Sequence, residues 1–221
     1  MNKFAVIVAG GNGTRMGSVI PKQFLLINEK PLIYYSIKAF VDAFEDIQII
    51  VVLPKEHFNN NSTLQSYFKQ KIEFVEGGAT RFYSVKNGLF AIENEGVVFV
   101  HDAVRCLLSP NLIKTCFDTC LAKGNAIPVI DCVDSMRQIN ASTSSIIDRN
   151  SLKVVQTPQT FFVKDLQLAF SKPYQPSFTD EASVAEASQQ TIHLCEGESF
   201  NLKITTPIDL IVAENILNKK P

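Results

Sequence analysis

Phe4-Ala5-Val6-Ile7-Val8-Ala9, running into Gly10-Gly11-Asn12-Gly13-Thr14-Arg15-Met16-Gly17 and then Pro21-Lys22-Gln23, opens the chain. Its first six residues read as a buried strand, apolar throughout and cut off by glycine. Runs of the same kind recur at Ile47 to Leu53, Ile72 to Val75, Val97 to His101, Ala126 to Ile130, Lys153 to Gln156 and Thr191 to Leu194. Helical patterns fall between most of them. That alternation is the sequence form of an α/β fold, a mostly parallel twisted sheet with helices on both faces. Pro31 opens one helix, where its missing N–H costs nothing, and Leu32, Ile33, Ser36, Ile37, Phe40 and Val41 supply its apolar face. Ser109-Pro110 and Thr206-Pro207 each set a hydroxyl N-cap before a proline, and the second predicts a last helix from Pro207 to Leu217.

One stretch departs from the alternation. Cys132 to Asn150 holds strand-like pieces, Ser135 to Ile139 and Ser145 to Ile147, around the polar tip Asn140-Ala141-Ser142-Thr143-Ser144. It predicts a projecting β-hairpin arm with too little apolar surface for a core of its own. Such an arm needs a partner, most simply a second copy, so a homodimer is expected. No linker, repeat or low-complexity tract divides the chain, and residues 1–221 are expected to form a single domain from which 132–150 protrudes.

With 46% hydrophobic residues over 221, the chain is not disordered, since a domain of this length buries roughly 70% of its unfolded surface. Lys and Arg number 21 against 22 acids, so no broad field draws the chain to nucleic acid or an anionic membrane. No apolar run approaches the ~20 residues of a membrane span, and no secretory leader is expected before the first strand. Five cysteines, an odd number without a C-x-x-C pair, predict a reduced, cytoplasmic protein. Cys116 and Cys120, four apart on a helix, read as core residues rather than a metal or redox pair.

Three glycines in four positions after a buried strand let the backbone turn and aim N–H groups at an anion. The loop is no Walker A, lacking Gly-Lys-Ser/Thr, and Met16 breaks the dinucleotide fingerprint. Alone it would serve equally as a tight turn. Arg15 and Lys22 favour a polyphosphate, which Arg binds as a fork and Lys as a point charge.

Gly10-Gly11-x-Gly13-Thr14-Arg15-Met16 with Pro21-Lys22-Gln23-Phe24 resembles the opening of sugar- and polyol-phosphate nucleotidyltransferases, in their cytidylyltransferase branch. Further segments follow in order: Gly77-Gly78-Ala79-Thr80-Arg81-x-x-Ser84-Val85, Val100-His101-Asp102-Ala103-x-Arg105, Asp148-Arg149-x-x-Leu152, Gln156-Thr157-Pro158-Gln159, Thr179-Asp180-Glu181-Ala182-Ser183 and Asn201-Leu202-Lys203-Ile204-Thr205. Together they are similar to the 2-C-methyl-D-erythritol 4-phosphate cytidylyltransferase family, with the ribitol 5-phosphate cytidylyltransferases as near relatives. The resemblance implies a Rossmann-like fold and transfer of CMP from CTP to a polyol phosphate. It assigns Ala9, Gly10, Gly11, Gly13, Thr14, Gly77, Gly78, Ser84 and Asp102 to CTP, and Thr157, Thr179 and Arg105 to the acceptor. Arg15, Lys22, Arg149 and Lys203 become the catalytic cations, the first pair on the triphosphate and the second on the acceptor phosphate.

The chemistry fits what the sequence lacks. A phosphomonoester with a second pKa near ~6 is already ionised at neutral pH and needs no strong base. Catalysis then rests on positioning and charge neutralisation, which calls for cations and a metal. Asp102, at the end of an apolar strand, is the candidate ligand for Mg²⁺, with phosphate oxygens and waters completing the shell. A plain pairing of Asp102 with Arg105 and a capping role for Thr179 are the competing structural readings. Cys132, Asp134 and Cys106 depart from the family pattern, where threonine, lysine and proline are expected, which leaves the acceptor less defined than CTP. A non-catalytic nucleotide-binding module is the alternative from another class; it predicts binding without turnover.

Overall fold

A computed structural model describes residues 1–10 and 20–219. Along the chain lie β1 (Lys3–Val8), β2 (Leu26–Ile27), β3 (Lys30–Pro31), α1 (Leu32–Ala43), β4 (Gln48–Leu53), α2 (Asn61–Ser66), β5 (Ile72–Glu76), α3 (Arg81–Phe90), β6 (Val97–Asp102) and α4 (Pro110–Lys123). They are followed by β7 (Asn125–Asp131), β8 (Met136–Asn140), β9 (Thr143–Ile147), β10 (Lys153–Val155), β11 (Gln159–Phe162), α5 (Val163–Phe170), α6 (Glu181–Ala187), β12 (Leu194–Glu196) and α7 (Pro207–Lys219).

The main sheet has eight strands in the order β10-β7-β11-β6-β1-β4-β5, with β12 paired to β7. β5, β4, β1 and β6 run parallel, as the apolar runs predict. Between β6 and β7 stands a strand that the sequence reading leaves out: β11 is antiparallel to both. Its residues Gln159 and Thr160 are fully buried, so the pattern of a buried strand was hidden behind two polar side chains. The strand expected at Thr191 to Leu194 lies further on, at Leu194–Glu196.

Side-chain alternation divides the sheet into two packed faces. Ala5, Ile7, Ile49, Val51 and Phe99 meet Ile33, Ile37 and Phe40 of α1 and Ile113 and Cys116 of α4. Phe4, Val6, Ile50, Val52 and Val98 meet Phe82, Val85 and Leu89 of α3 and Leu166 and Phe170 of α5. Cys116 and Cys120 are fully buried in the first face, as core residues. Cys106 lies in a third cluster with Ile27, Leu32, Ile204 and Ala213, where a small apolar side chain suits the space beneath α7.

Helix ends follow their local chemistry. Ser109 caps α4 by accepting the Leu112 N–H at 3.0 Å, with Pro110 at the first helical position as expected. Gly124, with φ +98°, ends the same helix in the left-handed conformation. Pro31 differs from expectation: it is the N-cap residue of α1, in extended backbone, rather than its first helical residue. α7 begins at Pro207 and extends past Leu217 to Lys219. The hairpin β8–β9 forms its own two-stranded sheet, and all five residues of β8 are exposed. Among the described residues no helix is long and apolar enough to cross a membrane.

Candidate active site

Parallel strands bring their carboxyl ends to one edge, the place where open α/β sheets bind ligands. Here β1 delivers Ala9 and Gly10, β4 delivers Pro54 and Lys55, β5 delivers Gly77 and Gly78, and β6 ends in Asp102. Ala9 donates its N–H to Val52 O at 3.0 Å and accepts from Gln23 Nε2 at 2.6 Å, which fixes the chain where the glycine loop departs. Gly10, Pro54, Lys55, Glu56, Gly77, Gly78, Ala79 and Ser84 line a cavity of about 460 Å³. Close approach explains the glycine at its edge: a Cβ on Gly78 would stand 2.3 Å from Tyr83 Cβ. Ser84 Oγ accepts from Gly78 N–H at 3.1 Å and donates to Thr80 O at 3.0 Å. Its hydrogen is thus spent on the Thr80 carbonyl, which orders the loop.

Next to this cavity is a carboxylate ringed by cations. Asp102 Oδ2 pairs with Lys203 Nζ at 2.8 Å and Arg105 Nε at 3.8 Å, while Oδ1 accepts from Arg81 Nη2 at 3.2 Å and Nε at 3.3 Å. Burial opposes ionisation of Asp102, but the charges of Arg81 and Lys203 win and hold its carboxyl well below the usual carboxylate range. The pairing with Arg105 exists, yet it is the longest of the three. Arg105 also donates from Nη1 to Asn201 O at 2.8 Å, which ties the Asn201 turn to the Asp102 group. Lys22 is buried and donates to Thr205 O at 3.1 Å, two residues beyond Lys203. Lys22, Lys203, Asp102 and Arg105 therefore belong to one neighbourhood.

Thr157 lies against the Asp102 backbone. It is buried, its Oγ1 accepts from Asp102 N–H at 3.1 Å, and it lies 3.0 Å from His101 Nδ1. His101 Nε2 faces Arg105 O at 3.3 Å. A carbonyl only accepts, so Nε2 carries the hydrogen; Nδ1 of the neutral ring then accepts the Thr157 hydrogen. Burial, opposed by the Asp102 charge, pushes the His101 pKa down to about 3 and keeps the ring neutral. Thr157 thus supports Asp102 from beneath, with its hydroxyl hydrogen unavailable to an acceptor. Thr179 is exposed, and the capping reading fails for it because Asp180 caps α6, in a capping box with Ser183. Arg149 sits on the arm, exposed, donating to Val133 O at 2.6 Å, and among the described residues it forms no hydrogen bond or ion pair with the Asp102 group of its own chain. Gly11, Gly13, Thr14 and Arg15 lie outside the described residues.

Sequence reasoning gave no role to Arg81, Glu181 or His101. Arg81 follows the Gly77-Gly78 segment, but its place against Asp102, 21 residues away, is a tertiary fact with no spacing signal. Glu181 reads as an ordinary first-turn acid, whereas it is fully buried.

Residues 4–219 match the family model described as 2-C-methyl-D-erythritol 4-phosphate cytidylyltransferase. The curated enzyme of that description from Bacteroides fragilis is 45% identical over 219 residues, covering 98% of this chain and all of its own. The crystal structure of 2-C-methyl-D-erythritol 4-phosphate cytidylyltransferase from Francisella tularensis superposes with a TM-score of 0.81 at 30% identity, over 96% of this chain and 98% of that one. A 4-diphosphocytidyl-2C-methyl-D-erythritol synthase from Anaerococcus prevotii, at 23% identity, shares the fold with a TM-score of 0.84 over 99% of both chains. With the match running from the first strand to the last helix, the chain belongs to the 2-C-methyl-D-erythritol 4-phosphate cytidylyltransferase family.

Proposed function

We propose that this chain transfers CMP from CTP to 2-C-methyl-D-erythritol 4-phosphate, releasing pyrophosphate. The observation that carries the reading is the juxtaposition of the glycine-walled cavity, suited in size to a base and sugar, with the ionised Asp102 and its cations at the same sheet edge. The cytosine ring sits against Gly10, Gly77, Gly78 and Ser84, and the triphosphate runs from there toward the glycine loop, Arg15 and Lys22. The acceptor phosphate attacks the α-phosphate as a ready anion. Lys22 neutralises charge growing on the triphosphate, and Lys203 orients the incoming phosphate.

The donor chemistry fits Mg²⁺. Asp102 is a single ionised carboxylate, and no group of three or more His, Cys, Asp or Glu forms a cage among the described residues, which suits a cation held mainly by phosphate oxygens and water. When bound, the ion supplies further neutralisation of the α-phosphate and the leaving pyrophosphate, with Asp102 as its protein ligand. Arg149 reaches an acceptor in the homodimer, where the arm of one copy extends to the site of the other. Pyrophosphate release with CTP, Mg²⁺ and each of 2-C-methyl-D-erythritol 4-phosphate and ribitol 5-phosphate tests the reading. Turnover with the first acceptor is expected; CTP binding without turnover overturns the enzyme reading, and preference for ribitol 5-phosphate overturns the acceptor.

A further inference from the structure

We infer that Glu181 is a positioning residue of this site, acting through Arg81 to hold the nucleotide loop, the acceptor loop and Asp102 in one arrangement; the inference rests on the cytidylyltransferase reading above. Arg81 Nη1 and Nη2 grip the two Glu181 carboxylate oxygens at 2.6 and 3.2 Å, a forked pair. The other side of the same guanidinium, Nε and Nη2, holds only Oδ1 of Asp102. Asp102 is therefore divided: Oδ1 faces the protein, and Oδ2 faces Lys203. Without Glu181 the whole fork of Arg81 would be free to take both oxygens of Asp102 and draw the carboxylate away from Lys203.

The three partners start or end three elements. Arg81 is the first residue of α3, directly after the Gly77-Gly78 loop; Glu181 is the first residue of α6, two residues after Thr179; Asp102 ends β6. The start of α6 is also pinned by the buried Gln159, which donates to Asp180 Oδ2 and accepts from Ala182 N–H, both at 2.8 Å. Stability alone is a poor reason for the pair. Glu181 is fully buried, and a buried ion pair does no better for stability than apolar residues of similar volume. Its value lies in geometry: it fixes the base loop and the acceptor loop relative to Asp102.

Glu181→Gln keeps the shape and removes the charge. The expected result is a drop in kcat of about tenfold or more, as for a small misplacement of reacting groups, with a smaller change in KM for CTP, because Glu181 does not line the base cavity and reaches its loop only through Arg81. Glu181→Asp, charged but one methylene shorter, should recover part of that kcat. A merely structural Glu181 would lower the melting temperature and leave kcat at the parent value, which overturns the inference. If Glu181→Gln does not fold, Glu181→Asp decides: a kcat reduced by more than KM for CTP is raised supports the positioning role, and parent kcat overturns it. A parent protein that releases no pyrophosphate overturns the function reading and this inference with it. An active parent beside a parent-like folded variant overturns the inference alone.

Discussion

Lys22 is 8% exposed, and its ammonium is held by the Thr205 carbonyl, so its charge is fixed in place before any substrate arrives. A preorganised cation is worth most where charge develops, and Lys22→Ala is expected to lower kcat on the order of 100-fold, about 3 kcal/mol. Arg15→Ala should act in the same direction. Pyrophosphate release at saturating CTP measures both, and a parent rate would remove that residue from the triphosphate. Asp102→Asn leaves Arg81 and Lys203 facing a neutral amide and withdraws the hard-cation ligand. Loss of most activity is expected, unrecovered across a Mg²⁺ titration, and a chelator should silence the parent likewise. His101 gives a pH signature. Its folded pKa is depressed below the unfolded value of about 6.5, so the stability it contributes is present above that value. That stability is lost as pH falls toward its folded pKa of about 3. The slope approaches about 1.4 kcal/mol per pH unit. Melting temperature followed from pH 7 to pH 4 should fall less steeply in His101→Gln than in the parent; equal slopes would show that another group governs acid unfolding.

At the element scale, the loop before α3 is set by how near Gly78 lies to the helix it leads into. Gly78→Ala would press a methyl against Tyr83 Cβ, 2.3 Å away before relaxation, and push the loop off the cavity wall. KM for CTP should rise about tenfold or more while KM for the acceptor changes little; an unchanged KM for CTP would place the base elsewhere. The parts of the fold readable from sequence were those in which one residue class dominates. β1 and β4 are apolar throughout their buried positions, β6 is apolar from Val97 to Val100, and Ser109-Pro110 carries its own start signal. β11 was not readable because Gln159 and Thr160 lie in the core for their hydrogen-bonding and packing roles, against the usual rule that polar residues face out. The site divides in the same way. Gly10 was legible from its glycine loop, and Gly77, Gly78 and Ser84 through the family resemblance; the four line one cavity. Arg81 and Glu181 were not, since only the packing of α3 against α6 and β6 gives them their partners. The bonds of Thr157 were not legible for a related reason: its motif says where it lies in the chain, not which way its hydroxyl hydrogen points.

At the scale of the whole molecule, the arm carries large apolar side chains that its own chain leaves uncovered. Register pairs Ile139 with Ser144 and Arg137 with Ile146, so Ile139 and Ile146 share a face of the ribbon, and they are 73% and 76% exposed. An isolated two-stranded ribbon is marginal in water, and burying such side chains in a second copy contributes about 1.5–3 kcal/mol each. Arg149 on the same arm is bonded to Val133 O and forms no ion pair with Asp102 among the described residues; with the acceptor site completed by the partner's arm, assembly and acceptor binding should fail together. Ile139→Lys combined with Ile146→Lys is expected to leave the core folded, because neither side chain is buried there, and to shift the protein from dimer to monomer in sedimentation velocity. KM for the acceptor should rise about tenfold or more, with a smaller change for CTP, whose cavity lies far along the chain from the arm. Deleting residues 140–144 should act in the same direction. A parent chain that sediments as a monomer at assay concentration with full activity would separate the arm from assembly and leave it as a flap over its own site.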